Sequence, residues 1–248
     1  MIQRLGTGDK EDKKPTFIPL GDQILIVQFE DILSLENNKK VQQFANAIKN
    51  ANINGITSII TAMTNISIKY NPFIIHFNQL EKKLKSLPKM NNEKNECKKK
   101  IYIPVTFDEK YGLDLPAISD RTDLTKENII HIICSNIYYV YMIGFIAGLP
   151  YMGDIDKRIH LPRKANPRVT VPKGSVAIAN QMTDIYTVES PGGWHIIGWT
   201  PMDLFNIRKD PPNRLSPGDY VKYEPISKHT AENWNEQKQK EWDEIWNL

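Results

Sequence analysis

The chain has 248 residues, 40% hydrophobic and 25% charged, with 32 basic against 29 acidic side chains for a formal net charge of +3. Such a length holds one large domain or two modest ones, each with its own core, and so balanced a charge argues against a dedicated nucleic-acid binder. No apolar run approaches the roughly 18 residues of a membrane span, MIQRLGTGDKEDKKPTF has no secretory core, and Cys97 and Cys134 are too few for a disulfide framework, which together predict a cytoplasmic protein with reduced thiols.

Residues 1–14 read as a loose polar tail. Phe17–Phe29 holds two short apolar runs broken by Gly21-Asp22, a hairpin pattern. Val41, Phe44, Ala45 and Ile48 recur at helical spacing and predict an amphipathic helix over 34–51. Ile56–Ala62 and Ile66–Tyr70 read as strands, and Phe73, Phe77, Leu80, Leu84 and Leu87 mark a second helix. The order β-β-α-β-β-α suits a small α+β sandwich over residues 15–98, with helices on one sheet face. Residues 81–100 hold eight lysines against three glutamates. Without interleaved aromatics to stack bases, they read as a solvated helix end and an inter-domain linker.

A strand at Ile101–Thr106 opens the second unit, 99–226. Thr125 is placed to cap a short helix with Ile129, Ile130 and Ile133 on one face. Beyond Tyr138–Ile146, residues 150–226 carry most of the Pro and Gly punctuation. Short β-type runs such as Ser175–Ala179 and His195–Gly198 alternate there with turn signals at Pro172-Lys-Gly174, Pro191-Gly-Gly193 and Pro217-Gly-Asp219. That rhythm predicts a compact all-β unit with rigid loops, where binding groups are commonly mounted. Residues 227–248 form a helical tail with three of the five tryptophans. Trp242, Ile245 and Trp246 share one face, expected to cover an apolar patch on this same chain.

The strings VYMIGF (140–145), LPRKANPRVTVPKGSVAIA (161–179), SPGGWHIIGWTP (190–201), LF (204–205) and LSPGDYVKYEPI (215–226) occur in an order that resembles one known family. FIPLGDQILIVQF (17–29), YNP (70–72) and IPVTFDEKYGLDL (103–115) extend the resemblance over roughly 16–226. It is the allophanate hydrolase subunit 1 family, also called carboxyltransferase subdomain C and D, which includes the B subunit of bacterial 5-oxoprolinase and a sporulation-kinase inhibitor. The resemblance implies an α+β N-terminal domain followed by a cyclophilin-like β-barrel. It also implies a second, homologous subunit as partner, a small carboxylate or amide as ligand, and ATP bound at a site shared with that partner. Neither a membrane nor a nucleic acid is implied. Two alternatives go with it: a non-catalytic regulatory protein like the kinase inhibitor, and a divergent allophanate or urea carboxylase-type subunit.

The chain also departs from the pattern. The family usually has Pro-Gly-Phe-Pro where this chain holds Ala147 and Leu149. It usually reads Gly-x-Gln-Thr-Gly-Ile-Tyr-Pro over 180–187, where Asn180, Met182, Asp184 and Thr187 stand beside the retained Thr183 and Tyr186. A characteristic Arg is Trp199 here, and an expected His is Ile133. Met for Gln removes a donor and an acceptor, Trp for Arg removes a cation that grips carboxylates in two-pronged fashion, and Asp for Gly strains a loop if a positive φ is needed there.

The expected substrate-binding set is Arg163, Arg168, Tyr186 and the run Pro191, Gly192, Gly193, Trp194 and His195. The arginines either grip a carboxylate or phosphate at the barrel mouth or tie loop carbonyls together. The 190–194 segment is either a small anion-binding concavity or a tight turn anchored by Trp194. His195 reads as a half-buried strand histidine rather than an acid or base, and nothing in the spacing of Ser190, His195 and Asp184 demands a triad. The scattered histidines and cysteines give no metal-ligand spacing, no phosphate-loop pattern occurs, and catalytic residues are not assigned.

Overall fold

The computed structural model describes residues 14–88 and 99–247, so residues 1–13 of the expected tail and 89–98 of the expected linker, Cys97 included, lie outside the described residues. The chain divides into two compact units, Met1–Asn91 and Asn92–Leu248.

The first unit runs β1 (Thr16–Leu20), β2 (Ile24–Gln28), α1 (Leu35–Asn50), β3 (Ile56–Thr61), β4 (Asn65–Tyr70) and α2 (Phe77–Lys85). Its antiparallel sheet has the order β1-β2-β4-β3. Gly21 takes a φ of 64° in the β1–β2 turn, a conformation that costs glycine little. Ser34 caps α1 by accepting from the Asn37 amide at 3.2 Å. Alternate strand residues Leu25, Val27, Ile66 and Ile68 then bury against Val41, Ala45 and Ile48 of α1 and Leu80 and Leu84 of α2. Phe73, expected within the second helix, precedes it and is 97% exposed.

The second unit begins with β5 (Lys100–Val105), α3 (Leu115–Thr122), α4 (Lys126–Ser135), β6 (Tyr138–Ile143) and β7 (Pro150–Gly153). It continues with β8 (Arg168–Val171), β9 (Ser175–Ala179), β10 (Met182–Ile185), β11 (Ser190–Gly192), β12 (His195–Trp199) and β13 (Tyr220–Pro225). Two helices follow, α5 (Lys228–Glu232) and α6 (Glu236–Trp246). Seven strands form one sheet in the order β12-β9-β10-β7-β6-β13-β5, while β8 and β11 make a separate ribbon. Thr106 and Trp199 exchange backbone hydrogen bonds at 2.8 and 2.9 Å, joining the two outer strands and nearly closing the sheet into a barrel. Its core holds Val105, Val140, Met152, Ile178, Ile197 and Tyr223 with Ile118 of α3 and Ile129 of α4. The architecture is therefore an α+β N-terminal domain followed by a cyclophilin-like β-barrel. The barrel unit also carries α3, a helix with no counterpart among the elements expected from the sequence.

Trp199, where the family resemblance points to an arginine, acts as a brace. Its ring stacks on Tyr111 at 4.9 Å and its Nε1 donates to the Lys173 carbonyl at 2.9 Å. Gly174, at φ 85°, admits that indole, since a Cβ there would lie 2.5 Å from Nε1.

The tail packs on the edge of β5. Trp242 Nε1 donates to the Tyr102 carbonyl at 2.8 Å, and Asn247 Oδ1 accepts from the Tyr102 amide at 2.6 Å. Trp246 lies against the Tyr102 ring at 5.1 Å and Trp234 against Trp242 at 5.8 Å. Ile245, expected on the same face, is 72% exposed. Side chains of α6 and of Asn247 thus occupy backbone groups that would otherwise form an open strand edge.

One carboxylate holds the loops at one end of the barrel. Asp114, at the N-terminus of α3 and 3% exposed, accepts from Arg168 at 2.7 and 2.9 Å and from Lys164 at 2.7 Å. It also accepts from the Ile196 amide at 2.7 Å, and its own amide donates to the Ile196 carbonyl at 2.9 Å. Burial would raise the Asp114 pKa, but the Arg168, Lys164 and Ile196 donors overcome this and hold it at about 2.

Two expectations follow from these contacts. Because the free carboxyl titrates at 3.8, the stabilisation from Asp114 is complete above that pH and is lost as pH falls through about 2. Urea unfolding should therefore show Asp114→Asn destabilised at about pH 6, with the gap to wild type narrowing below about pH 4. Trp242→Ala should cost about 3 kcal/mol by denaturant unfolding, from lost ring contacts and the hydrogen bond to Tyr102.

Candidate ligand site on the barrel

The candidate site is built outward from β10. Thr183 bonds to Tyr223 at 2.9 Å and Ile185 belongs to the core, so strand alternation turns Asp184 to the opposite sheet face. Pairing places Asp184 beside Ala177 of β9, which in turn pairs with Ile196 of β12. Neither neighbouring side chain offers a hydrogen bond. Asp184 needs no positive φ, since it lies in a regular strand, and the positive φ of this hairpin falls on Asn180 at 51°.

Asp184 is 2% exposed and its Oδ1 has no hydrogen-bond partner. Burial drives its pKa well up, and the charge of Arg163 opposes that only in part. Tyr151 and Tyr186 stand within electrostatic reach, with phenol pKa values raised first by burial and then by Asp184. The Tyr186 hydroxyl closes on Gly192 so tightly that a Cβ there would sit 2.0 Å from it. Trp194 meets Tyr151 edge to face, with centroids 5.8 Å apart.

The two arginines separate. Arg168 is committed to Asp114, so its guanidinium ties β8 to α3 and is not free for a ligand. Arg163 is exposed and makes no hydrogen bond or ion pair with the described residues, while its charge acts on Asp184, Tyr151 and Tyr186. Lys164, which the sequence does not single out, joins Arg168 on Asp114 and donates its amide to the Gly193 carbonyl at 2.8 Å. The residue next to Arg163 is thereby fixed through both its side chain and its backbone.

His195 is buried, with Nε2 2.9 Å from the Pro162 carbonyl. That contact requires a proton on Nε2, and Nδ1 is buried without a partner. Ser190 Oγ is likewise buried and unpartnered. No hydrogen bond links Ser190, His195 and Asp184, so they do not assemble a triad.

Pro191 and Gly192 lie in β11, where Ser190 pairs with Val171 and Gly192 with Arg168, rather than in the tight turn the sequence suggests. No residue from 190 to 194 takes a positive φ, which an anion-binding loop of alternating handedness requires. Among the described residues no three His, Cys, Asp or Glu side chains cluster as metal ligands, and no helix is long and apolar enough to cross a membrane.

In the sequence Asp184 stands out as a departure from a pattern and as a member of a discounted triad, and Tyr151 not at all. The signal Asp184 does carry is chemical, a carboxyl in the run Met182–Ile185, next to the apolar Ile185.

Residues 15–215 match the family model described as carboxyltransferase domain, subdomain C and D. The 5-oxoprolinase B subunit of Bacillus subtilis is 32% identical over 219 residues, covering 84% of this chain and 91% of that protein. The 5-oxoprolinase B subunit of Haemophilus influenzae is also 32% identical, covering 83% of this chain and 95% of that protein. Among solved structures, TTHA0988 superposes with a TM-score of 0.75 at 29% identity over 83% of this chain, which spans 40% of that one. A conserved uncharacterized protein of Pyrococcus horikoshii is 36% identical, with a TM-score of 0.53 over 88% of this chain and 100% of its own. The Kluyveromyces lactis urea carboxylase, at 19% identity and a TM-score of 0.71, shares the fold. With a family match across both units and relatives aligned along nearly their full length, this chain belongs to the carboxyltransferase subdomain C and D family.

Proposed function

We propose that this chain is a subunit of an ATP-dependent amide or lactam hydrolase of the 5-oxoprolinase type, working beside a second, homologous subunit. The observation that carries this reading is the near-full-length match to two proteins named as the B subunit of 5-oxoprolinase. In the proposed reaction, 5-oxoproline, ATP and water give glutamate, ADP and phosphate. ATP supplies the driving force for opening the ring.

This chain's part is to bind and orient the small carboxylate. Arg163 offers an exposed guanidinium without a carboxylate of its own, suited to a two-pronged grip. Asp114 positions it indirectly, through Lys164 and Arg168 on the same segment. The edge-to-face Tyr151 and Trp194 form an apolar wall beside it. Since the 190–194 segment lacks the alternating backbone handedness of a phosphate-binding loop, the nucleotide falls chiefly to the partner chain.

The chain mixed with its homologous partner should release ADP in a manner that depends on 5-oxoproline. Arg163→Ala should raise the KM for 5-oxoproline about 30-fold, the cost of one charge-assisted contact, while leaving the melting temperature unchanged. A mixture that releases no ADP in response to 5-oxoproline refutes the proposed activity.

A further inference from the structure

The polar atoms left without partners on the ribbon side of the barrel point to what the ligand looks like. Buried carboxyl oxygens are paired in the great majority of cases, and an orphan of this kind costs on the order of 1–3 kcal/mol. Asp184 Oδ1 is such an orphan, and its partner in register on β9 is Ala177, whose methyl group offers no hydrogen bond. The family resemblance points to glycine at this position, so the carboxyl is a departure from the family's usual pattern.

We propose that Asp184 is a specificity-determining residue that contacts the ligand and pairs with the edge of a cis amide whose carboxylate is held by Arg163. This rests on the lactam-hydrolase reading and names the group that the site recognises. A carboxyl that keeps its proton sets an O–H donor beside a C=O acceptor. A lactam sets an N–H donor beside a C=O acceptor, because its ring enforces the cis geometry, so the two edges meet through two hydrogen bonds. An ordinary trans amide points these groups in opposite directions and cannot do so.

The surroundings favour the neutral form that this pairing needs. Burial outweighs the charge of Arg163 at Asp184, and the remaining titratable groups in electrostatic reach, Tyr151, Tyr186 and Tyr223, are phenols themselves biased toward their neutral state. Arg163 is exposed while Asp184 is buried, so the carboxylate end of the ligand faces solvent and the amide end faces the sheet.

The test is calorimetric titration of the full chain, alone and with its homologous partner, using 5-oxoproline, N-methyl-5-oxoproline and cyclopentanecarboxylate. Wild type should bind 5-oxoproline about 30-fold more tightly than either of the others, as two neutral hydrogen bonds imply. Asp184→Asn keeps a donor beside an acceptor and should retain that preference to within a few-fold. Asp184→Leu should abolish it, and Arg163→Ala should weaken 5-oxoproline and cyclopentanecarboxylate alike. Equal wild-type affinity for 5-oxoproline and its N-methyl form overturns the proposal whether or not the leucine variant folds. A preference surviving in a folded Asp184→Leu, or lost in a folded Asp184→Asn, overturns it too. In each of these cases 5-oxoproline-dependent ADP release by the wild-type mixture leaves the lactam-hydrolase reading standing. If no probe binds and no ADP is released, both fall together.

Discussion

A single buried carboxylate organises this barrel's loops. Asp114 receives two cations and one backbone amide, from positions 50, 54 and 82 residues further along the chain. Burying a carboxylate is costly unless it is paired and hydrogen-bonded. Here every contact also joins separate parts of the chain, since α3, the loop before β8, β8 itself and β12 all meet at one side chain. Arg163 inherits its position from this arrangement without touching it. The arginine nearer Asp114 has become structural, and the one before it stays free to act.

The same division runs through the rest of the unit. Trp199 stacks on Tyr111 and bonds to Lys173, so a position where the resemblance points to a cation serves as a brace. Gly192 lies against the Tyr186 hydroxyl, leaving no room for a side chain. Ser190 of β11, His195 of β12 and Asp184 of β10 each keep a buried polar atom without a hydrogen-bond partner, as do Asn213 and Arg214 elsewhere in this unit. Of these, Asp184 is the acidic one, and a buried carboxyl left open is a place to examine for a ligand.

Much of the architecture is legible in the sequence because local signals and packing agree there. Ser34 and Thr125 cap the helices they precede, Gly21 turns its hairpin, and the strands around Ile26, Ile68, Ile103 and Ile178 lie where their apolar runs stand. The helix α3 escapes notice because LPAISDRT is short and buries only Leu115 and Ile118. The carboxylate before it is also spent on distant partners rather than on the helix's own amides. Arg163 and Arg168 stand in matching Pro-Arg pairs, and what separates them is Asp114, 54 residues upstream of the second. Pro191-Gly-Gly193 carries the composition of a turn, yet pairing with β8 draws Pro191 and Gly192 into a strand. In each case a contact between segments far apart in sequence decides the outcome, and no local window contains it.

The seal that α6 places on β5 bears on how the protein is made. β5 is among the first barrel strands to leave the ribosome, but its pairing partner β13 and the side chains covering Tyr102 are synthesised more than a hundred residues later. Until then the nascent barrel presents an unpaired strand rich in isoleucine and tyrosine to its surroundings. The barrel therefore cannot close until β13 and α6 have been made, and until they dock β5 is the segment most open to pairing with the wrong strand.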